Sequence, residues 1–216
     1  MKLAAKNRQL LTSVRLTKPV LLTKAFGLVI LLTVISGCAS KPEPQANQVN
    51  IAPDTYVTLP APADLGRTLT ASQLITAQWA EQSHQLPVQL QVDHQKIALA
   101  GFSSWGSRIL SLSYENQTIE ASVLPGLGET LPQPEQVLFN LMLTLWPVDA
   151  WRSPLQSIGW QLIEISQHRQ LIDDRGNVVA DVEYKATPHL AGDIVFTHYP
   201  LGYTITIKTL NYSPLK

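Results

Sequence analysis

The sequence predicts an α+β domain: a large curled antiparallel sheet with one helix laid across it. Two observations carry the prediction. Apolar residues recur at every second position in short runs over both halves of the chain, which marks half-buried strands. Between those halves, and only there, the spacing changes to three and four, which marks a helix.

The first alternating runs are Leu74–Trp79 and then Leu86, Val88, Leu90 and Val92, with a polar break at Ser83 to Gln85. Ile97 and Leu99 follow, then Leu110, Leu112 and Tyr114, then Ile119, Ala121 and Val123. Their connectors are Asp93-His94-Gln95, Glu115-Asn116-Gln117 and the stretch Gly101 to Gly106, each short enough for a hairpin. This half therefore reads as a meander.

Val137, Leu138, Leu141, Met142 and Leu145 then set a helical period over Pro134 to Trp146, with Glu135 in the first turn and Pro147 as the stop. Asp149 can cap a short second helix holding Ala150 and Trp151, limited by Pro154. Strands resume at Trp160–Ser166, Arg169–Asp173, Val178–Tyr184, Asp193–Tyr199 and Tyr203–Asn211, with a turn at Asp173 to Asn177. About nine strands in so short a domain must twist and curl. The helix has almost no polar face, so it needs cover on nearly all sides. Two readings of it stand: a core helix, or a lid over an apolar ligand site.

Upstream, Leu28 to Cys38 is an uncharged apolar run that follows Lys2, Lys6, Arg8, Arg15, Lys18 and Lys24 and ends in Ile35-Ser36-Gly37-Cys38. That is an export signal with a cleavage site, too short for a membrane span of about 20 residues. The chain carries 16 basic and 16 acidic residues, but six of the basic ones and none of the acidic ones precede Cys38, so the remainder is net negative. Such a balance argues against nucleic acid as a partner and against docking on anionic lipid by charge alone. Cys38 is the one cysteine, which excludes an internal disulfide and a multi-cysteine metal site. The expected division is a signal segment at 1–37, a proline-rich tether at 38–65 and a folded domain at 66–216. Tyr56, Val57 and Leu59 are apolar enough to let part of the tether lie along the domain.

Enzyme chemistry has little support. The five histidines, at 84, 94, 168, 189 and 198, show no metal-binding spacing, and neither a nucleophile elbow nor a phosphate-cradling glycine loop is present. The carboxylate pairs Asp173-Asp174 and Asp181/Glu183 read as turn and surface residues. His198-Tyr199 before Pro200 is the one pair with a claim to more. The expectation is no catalytic residue, no metal and no cofactor.

The ending Ile-Ser-Gly-Cys resembles a bacterial lipobox. The resemblance implies that Cys38 becomes the first mature residue and carries lipid, palmitate included, and that Ala39 after it directs the protein to the outer membrane, facing the periplasm. The order of lipobox, proline-rich tether, strand meander, PQPEQVLFNLML helix followed by Trp-Pro-x-Asp, Asp-Arg-Gly-Asn hairpin and closing Tyr-Thr-Ile-Thr-Ile strand resembles a family of uncharacterised bacterial lipoproteins. Those are often encoded near aryl-polyene and fatty-acid synthesis genes. The same order, over about Leu74 to Tyr212, is similar to outer-membrane lipoprotein receptors of the LolA/LolB type, which implies a half-open β-barrel with a helical lid and a cavity for acyl chains. Where that type has a Leu-Pro-Gly-Asp turn, this chain has Leu145-Trp146-Pro147-Val148-Asp149 and lacks the glycine.

The function expected from this is a lipid-anchored, non-catalytic carrier. It would bind and transfer an acyl chain, a lipid-linked product or a lipoprotein, with a periplasmic or inner-membrane export partner. The expected ligand wall is Trp79, Leu90, Leu110, Leu138, Leu141, Met142, Leu145 and Trp146. Phe102 and Trp105 form a loop that either faces a membrane or ligand, or folds back on the core. The competing expectation is a structural or assembly lipoprotein that holds a membrane-protein partner. An enzyme with a polar cluster around His198 is a third.

Overall fold

The computed structural model describes residues 45–126 and 133–213. Cys38, its apolar run and the expected signal segment lie outside the described residues. Among the described residues, twelve strands and two α-helices follow in order. A hairpin of β1 (Gln48–Ala52) and β2 (Thr55–Thr58) comes first and ends in a 3-10 turn at Pro62–Leu65. Then come β3 (Leu69–Trp79), β4 (Gln82–Val92), β5 (Lys96–Phe102), β6 (Arg108–Glu115) and β7 (Thr118–Val123). The helices α1 (Pro134–Leu145) and α2 (Val148–Gln156) follow. The chain closes with β8 (Gln161–Ile165), β9 (His168–Ile172), β10 (Val178–Tyr184), β11 (Ile194–His198) and β12 (Tyr203–Ser213).

Ten of the strands form one antiparallel sheet in the order β7-β6-β5-β4-β3-β12-β11-β10-β9-β8. The topology is two meanders placed side by side. The first runs outward from the centre at β3 to the edge at β7, and the second runs inward from the opposite edge at β8 to β12. They join through the long β3–β12 ladder, in which Trp79 faces Tyr203 and Ile75 faces Ile207. The two edges are not paired with each other, so the sheet stays open, and the link from β7 to β8 must pass over one face. That link is α1 and α2, and it explains why a nearly all-apolar helix lies on the sheet.

On α1, Leu138, Phe139, Leu141, Met142, Leu143 and Leu145 are all buried. The sheet supplies the matching surface by period two: Leu90 and Val92, Ile97 and Leu99, Leu110 and Leu112, Val182 and Tyr184, and Ile194 and Phe196 all point inward. Arg169, on β9 and 3 % exposed, fixes the end of α1 by donating to the carbonyls of Leu143 (2.6 Å) and Trp146 (2.8 Å). The Tyr184 hydroxyl donates to the carbonyl of Thr144 at 2.8 Å. These carbonyls have no partner within the helix, so two sheet residues act as its C-terminal cap.

The expected tether is folded from Gln48 onward, which corrects the boundary at 65. Val49 and Ile51 on β1, Val57 on β2, and Leu59 and Leu65 beyond it belong to the core, where the hairpin packs on the helices. Trp146 donates its indole N–H to the Ala61 carbonyl at 2.9 Å. The prolines do not oppose this: Pro53 sits in the hairpin turn, and Pro60 and Pro62 follow the second strand, where no ladder N–H is needed. A compact unit begins at Pro44.

Three smaller expectations also change. The break at Ser83 to Gln85 is strand, and the turn is Ala80-Glu81, with Ala80 at φ 50° and Trp79 paired to Gln82. Pro154 does not stop α2, which continues to Gln156, because its ring removes one helical bond near the end of a short helix. Asp149 does not cap that helix; Pro147 holds the cap position, and Asp149 pairs with Arg152.

Candidate functional site: an apolar cavity under the first helix

A cavity of about 420 Å³ opens between α1 and the inner face of the sheet. One face of α1 forms its roof: Val137, Asn140, Leu141 and Thr144, spaced at three, one and three residues. Its floor is the centre of the sheet. β3 contributes Gln73, Ile75, Ala77 and Trp79, and β4 contributes His84, Leu86 and Val88. Leu99 and Leu110 come from β5 and β6. Phe196 of β11 and Tyr203, Ile205 and Ile207 of β12 complete it. Among the described residues, no lysine, arginine or carboxylate lines it.

The rim lies at the end of the sheet that holds the β3–β4 and β11–β12 turns. There His84 stacks on Trp79, with ring centroids 4.8 Å apart and 10° between planes, and Leu201 is 57 % exposed. Deeper in, Gly101 lies behind two wall residues. A Cβ at that position would stand 3.0 Å from a methyl of Leu86 and 3.2 Å from Cβ of Leu110, so both leucines settle over bare backbone.

Two polar groups of the wall, Asn140 and Tyr203, meet across the cavity. Asn140 Nδ2 donates to the Tyr203 hydroxyl at 2.9 Å, and Gln136 Nε2 donates to Asn140 Oδ1 at 3.0 Å. Burial pushes the Tyr203 phenol up to about 12, against the smaller opposing effect of its bonds to Asn140 and Gln136. It is therefore neutral throughout the ordinary pH range. Thr144 donates to the Leu141 carbonyl at 2.7 Å, and Gln73 donates to Thr209 at 3.3 Å.

Behind Tyr203 lies His198, fully buried, with ring centroids 5.2 Å apart. The Leu201 N–H donates to His198 Nδ1 at 3.3 Å, which assigns the proton to Nε2, and Nε2 has no partner among the described residues. Burial lowers its pKa to about 4. Among the described residues, no group of three or more His, Cys, Asp or Glu side chains could hold a metal ion, and no helix is long and apolar enough to cross a membrane.

Of the residues expected at a ligand wall, Trp79, Leu110 and Leu141 line the cavity. Leu90, Leu138, Met142, Leu145 and Trp146 do not; Leu90 is buried farther along the same face of β4, beyond Val88, and the other four are buried in the core away from the lining stripe of α1. The reason is the helix itself: its apolar residues run nearly all round, so they do not mark which stripe faces a space and which faces packed side chains. Phe102 is half-buried, outside the wall. Trp105 is 85 % exposed at the tip of the β5–β6 loop, so it does not fold back on the core. Asn140, Thr144, Gln73 and Tyr203 were not expected at the site. Two polar residues four apart on an otherwise apolar helix were the available signal for the stripe that faces the cavity.

The fold and the cavity define a class: an open antiparallel sheet bridged edge to edge by helices over an uncharged apolar space. Residues 70–211 match the model of the family described as "Protein of unknown function (DUF3261)", and the chain belongs to that family. No curated protein matches the sequence. Among solved structures, the chain is similar to a candidate outer membrane lipoprotein-sorting protein domain from Vibrio parahaemolyticus. The identity is 6 %, the TM-score is 0.38, and 69 % of this chain and 86 % of that one are covered. It is also similar to a DUF1329 family protein from Desulfovibrio piger ATCC 29098, at 6 % identity and a TM-score of 0.29, covering 73 % and 94 %. These scores are too low for either overlay to bear on the site.

Proposed function

We propose that this protein is a non-catalytic carrier that holds one acyl chain or similar apolar molecule under α1. In this reading it is anchored by lipid on Cys38 and works at the periplasmic face of the outer membrane. The observation that carries the reading is the uncharged cavity of about 420 Å³. Its size falls within the ~300–1,000 Å³ of small-molecule sites, and its lining is apolar apart from a few convergent polar groups. Transfer in or out would need no chemical step, since each buried CH₂ contributes about 0.8 kcal/mol and the direction follows the difference in affinity between donor, carrier and acceptor.

The test is native mass spectrometry with lipid extraction on residues 44–216, exported to and purified from a bacterial periplasm. A one-to-one adduct that contains an acyl chain is the expected result. A clean apo mass, with no uptake of a fatty-acid probe, would overturn the carrier and leave the partner-holding lipoprotein as the better reading.

A further inference from the structure

We infer that the cavity selects an uncharged amphiphile, with the Asn140–Tyr203 pair as the anchor for a neutral oxygen of the ligand. The inference rests on the carrier reading and adds the chemical class of the cargo. Three observations lead to it.

The first is the absence of a counter-charge. Among the described residues no lysine or arginine lines the cavity, and its one histidine, His84, sits at the rim. The nearby buried cation, Arg169, is committed to Glu164 and to the carbonyls at the end of α1. A carboxylate or phosphate drawn under α1 would lose its water and gain no ion pair, which is strongly unfavourable.

The second is the spare donor. Asn140 is 7 % exposed and has two N–H groups on Nδ2. One goes to the Tyr203 hydroxyl, and the other has no partner among the described residues. An ester carbonyl, an ether or an alcohol oxygen on a ligand would accept it. Such a bond forms in a dry site, where a neutral donor left unpaired costs more than it does in water.

The third is orientation. Gln136 and Tyr203 both bond Asn140 Oδ1, at 3.0 and 3.2 Å, so the amide is held with its nitrogen fixed. The wall on either side of that amide is Val137 and Leu141 above and Ile205 and Phe196 below, which suit hydrocarbon. The other buried polar residues of the wall bond protein partners, Gln73 to Thr209 and Thr144 to the Leu141 carbonyl. The arrangement therefore reads as an oriented polar point in a mostly apolar slot, able to distinguish an oxygenated chain from a bare one and a neutral head from an ionised one.

The experiment equilibrates residues 44–216, which contain every core residue from Val49 to Ile207, with phosphatidylcholine vesicles carrying one radiolabelled compound at a time. The compounds are hexadecane, 1-hexadecanol, methyl palmitate and, at pH about 8 so that it is ionised, palmitate. The expected result is retention of the alcohol and the ester at least about tenfold above palmitate and clearly above hexadecane. Asn140→Leu and the milder Tyr203→Phe should each reduce the preference for the alcohol over hexadecane. Equal retention of palmitate and hexadecanol, or an unchanged alcohol preference in both variants, would overturn the neutral anchor and leave the carrier standing. Retention of none of the four would overturn the carrier itself, and this inference with it.

Discussion

Arg169 donates to the carbonyl of Trp146 at 2.8 Å from beneath the helix that Trp146 ends, so a buried cation on the sheet holds the far end of the cavity's roof. The same guanidinium bonds Glu164 at 2.8 Å and lies 5.6 Å from the Tyr184 ring. Replacing it by methionine leaves the carbonyls of Leu143 and Trp146 without donors. Arg169→Met should lower stability by about 2–4 kcal/mol, as befits charge-assisted bonds at a buried site. Arg169→Lys should recover only part of this, since an ammonium cannot present the planar fork that reaches both. Urea unfolding of the two variants beside the native chain measures both effects.

Leu141 and Met142 are neighbours on α1 with different surroundings, one on the cavity wall and one in solid core. Leu141→Trp should fill the space and abolish ligand uptake while stability changes little. Met142→Ala should cost about 2–5 kcal/mol by opening a hole elsewhere, with uptake retained. Paired measurements of thermal midpoint and ligand retention separate the two residues; equal effects from both would show that the cavity and the core are not distinct.

His198 makes stability depend on pH. Its pKa falls from 6.5 to about 4 on folding, so between those values the unfolded chain binds a proton that the folded chain does not. Its contribution is complete above pH 6.5 and is lost as the pH falls toward 4, reaching about 3 kcal/mol. His189, half-buried against Tyr184, shifts in the same direction through burial and steepens the decline. His198→Phe should flatten the stability profile over this window, as read from urea midpoints at a series of pH values.

The β1–β2 hairpin is part of the core, so its removal should be felt as loss of core. Residues 66–216 lack Val49, Ile51, Val57, Leu59 and Leu65, all nearly inaccessible to solvent. At about 1.5–3 kcal/mol for each buried aliphatic side chain, the loss is comparable with the ~5–15 kcal/mol that holds a domain together. Residues 44–216 should melt cooperatively in circular dichroism, and residues 66–216 should not.

The strands were legible because each is apolar on one side, and period two survives any tertiary arrangement. Leu110, Leu112 and Tyr114 announce β6 as plainly in the sequence as in the sheet. The hairpin was not, because β1 and β2 are five and four residues long and their prolines resemble those of a linker. The position of the cavity was legible only in part. Trp79 and Leu141 carry the right chemistry, but which apolar residues border a space and which fill it depends on how α1 is rotated, and Arg169 and Tyr184 fix that rotation from far along the chain. His198, singled out by its neighbours Tyr199 and Pro200, lies behind Tyr203 rather than on the wall.

Gly101 gives the cavity a property that none of its wall residues has. Leu86 and Leu110 rest where they do because position 101 has no side chain to hold them off. The volume of the site can therefore be altered from outside it. A single methyl at 101 would press both leucines inward and shorten the space between them and α1, with every lining residue left unchanged.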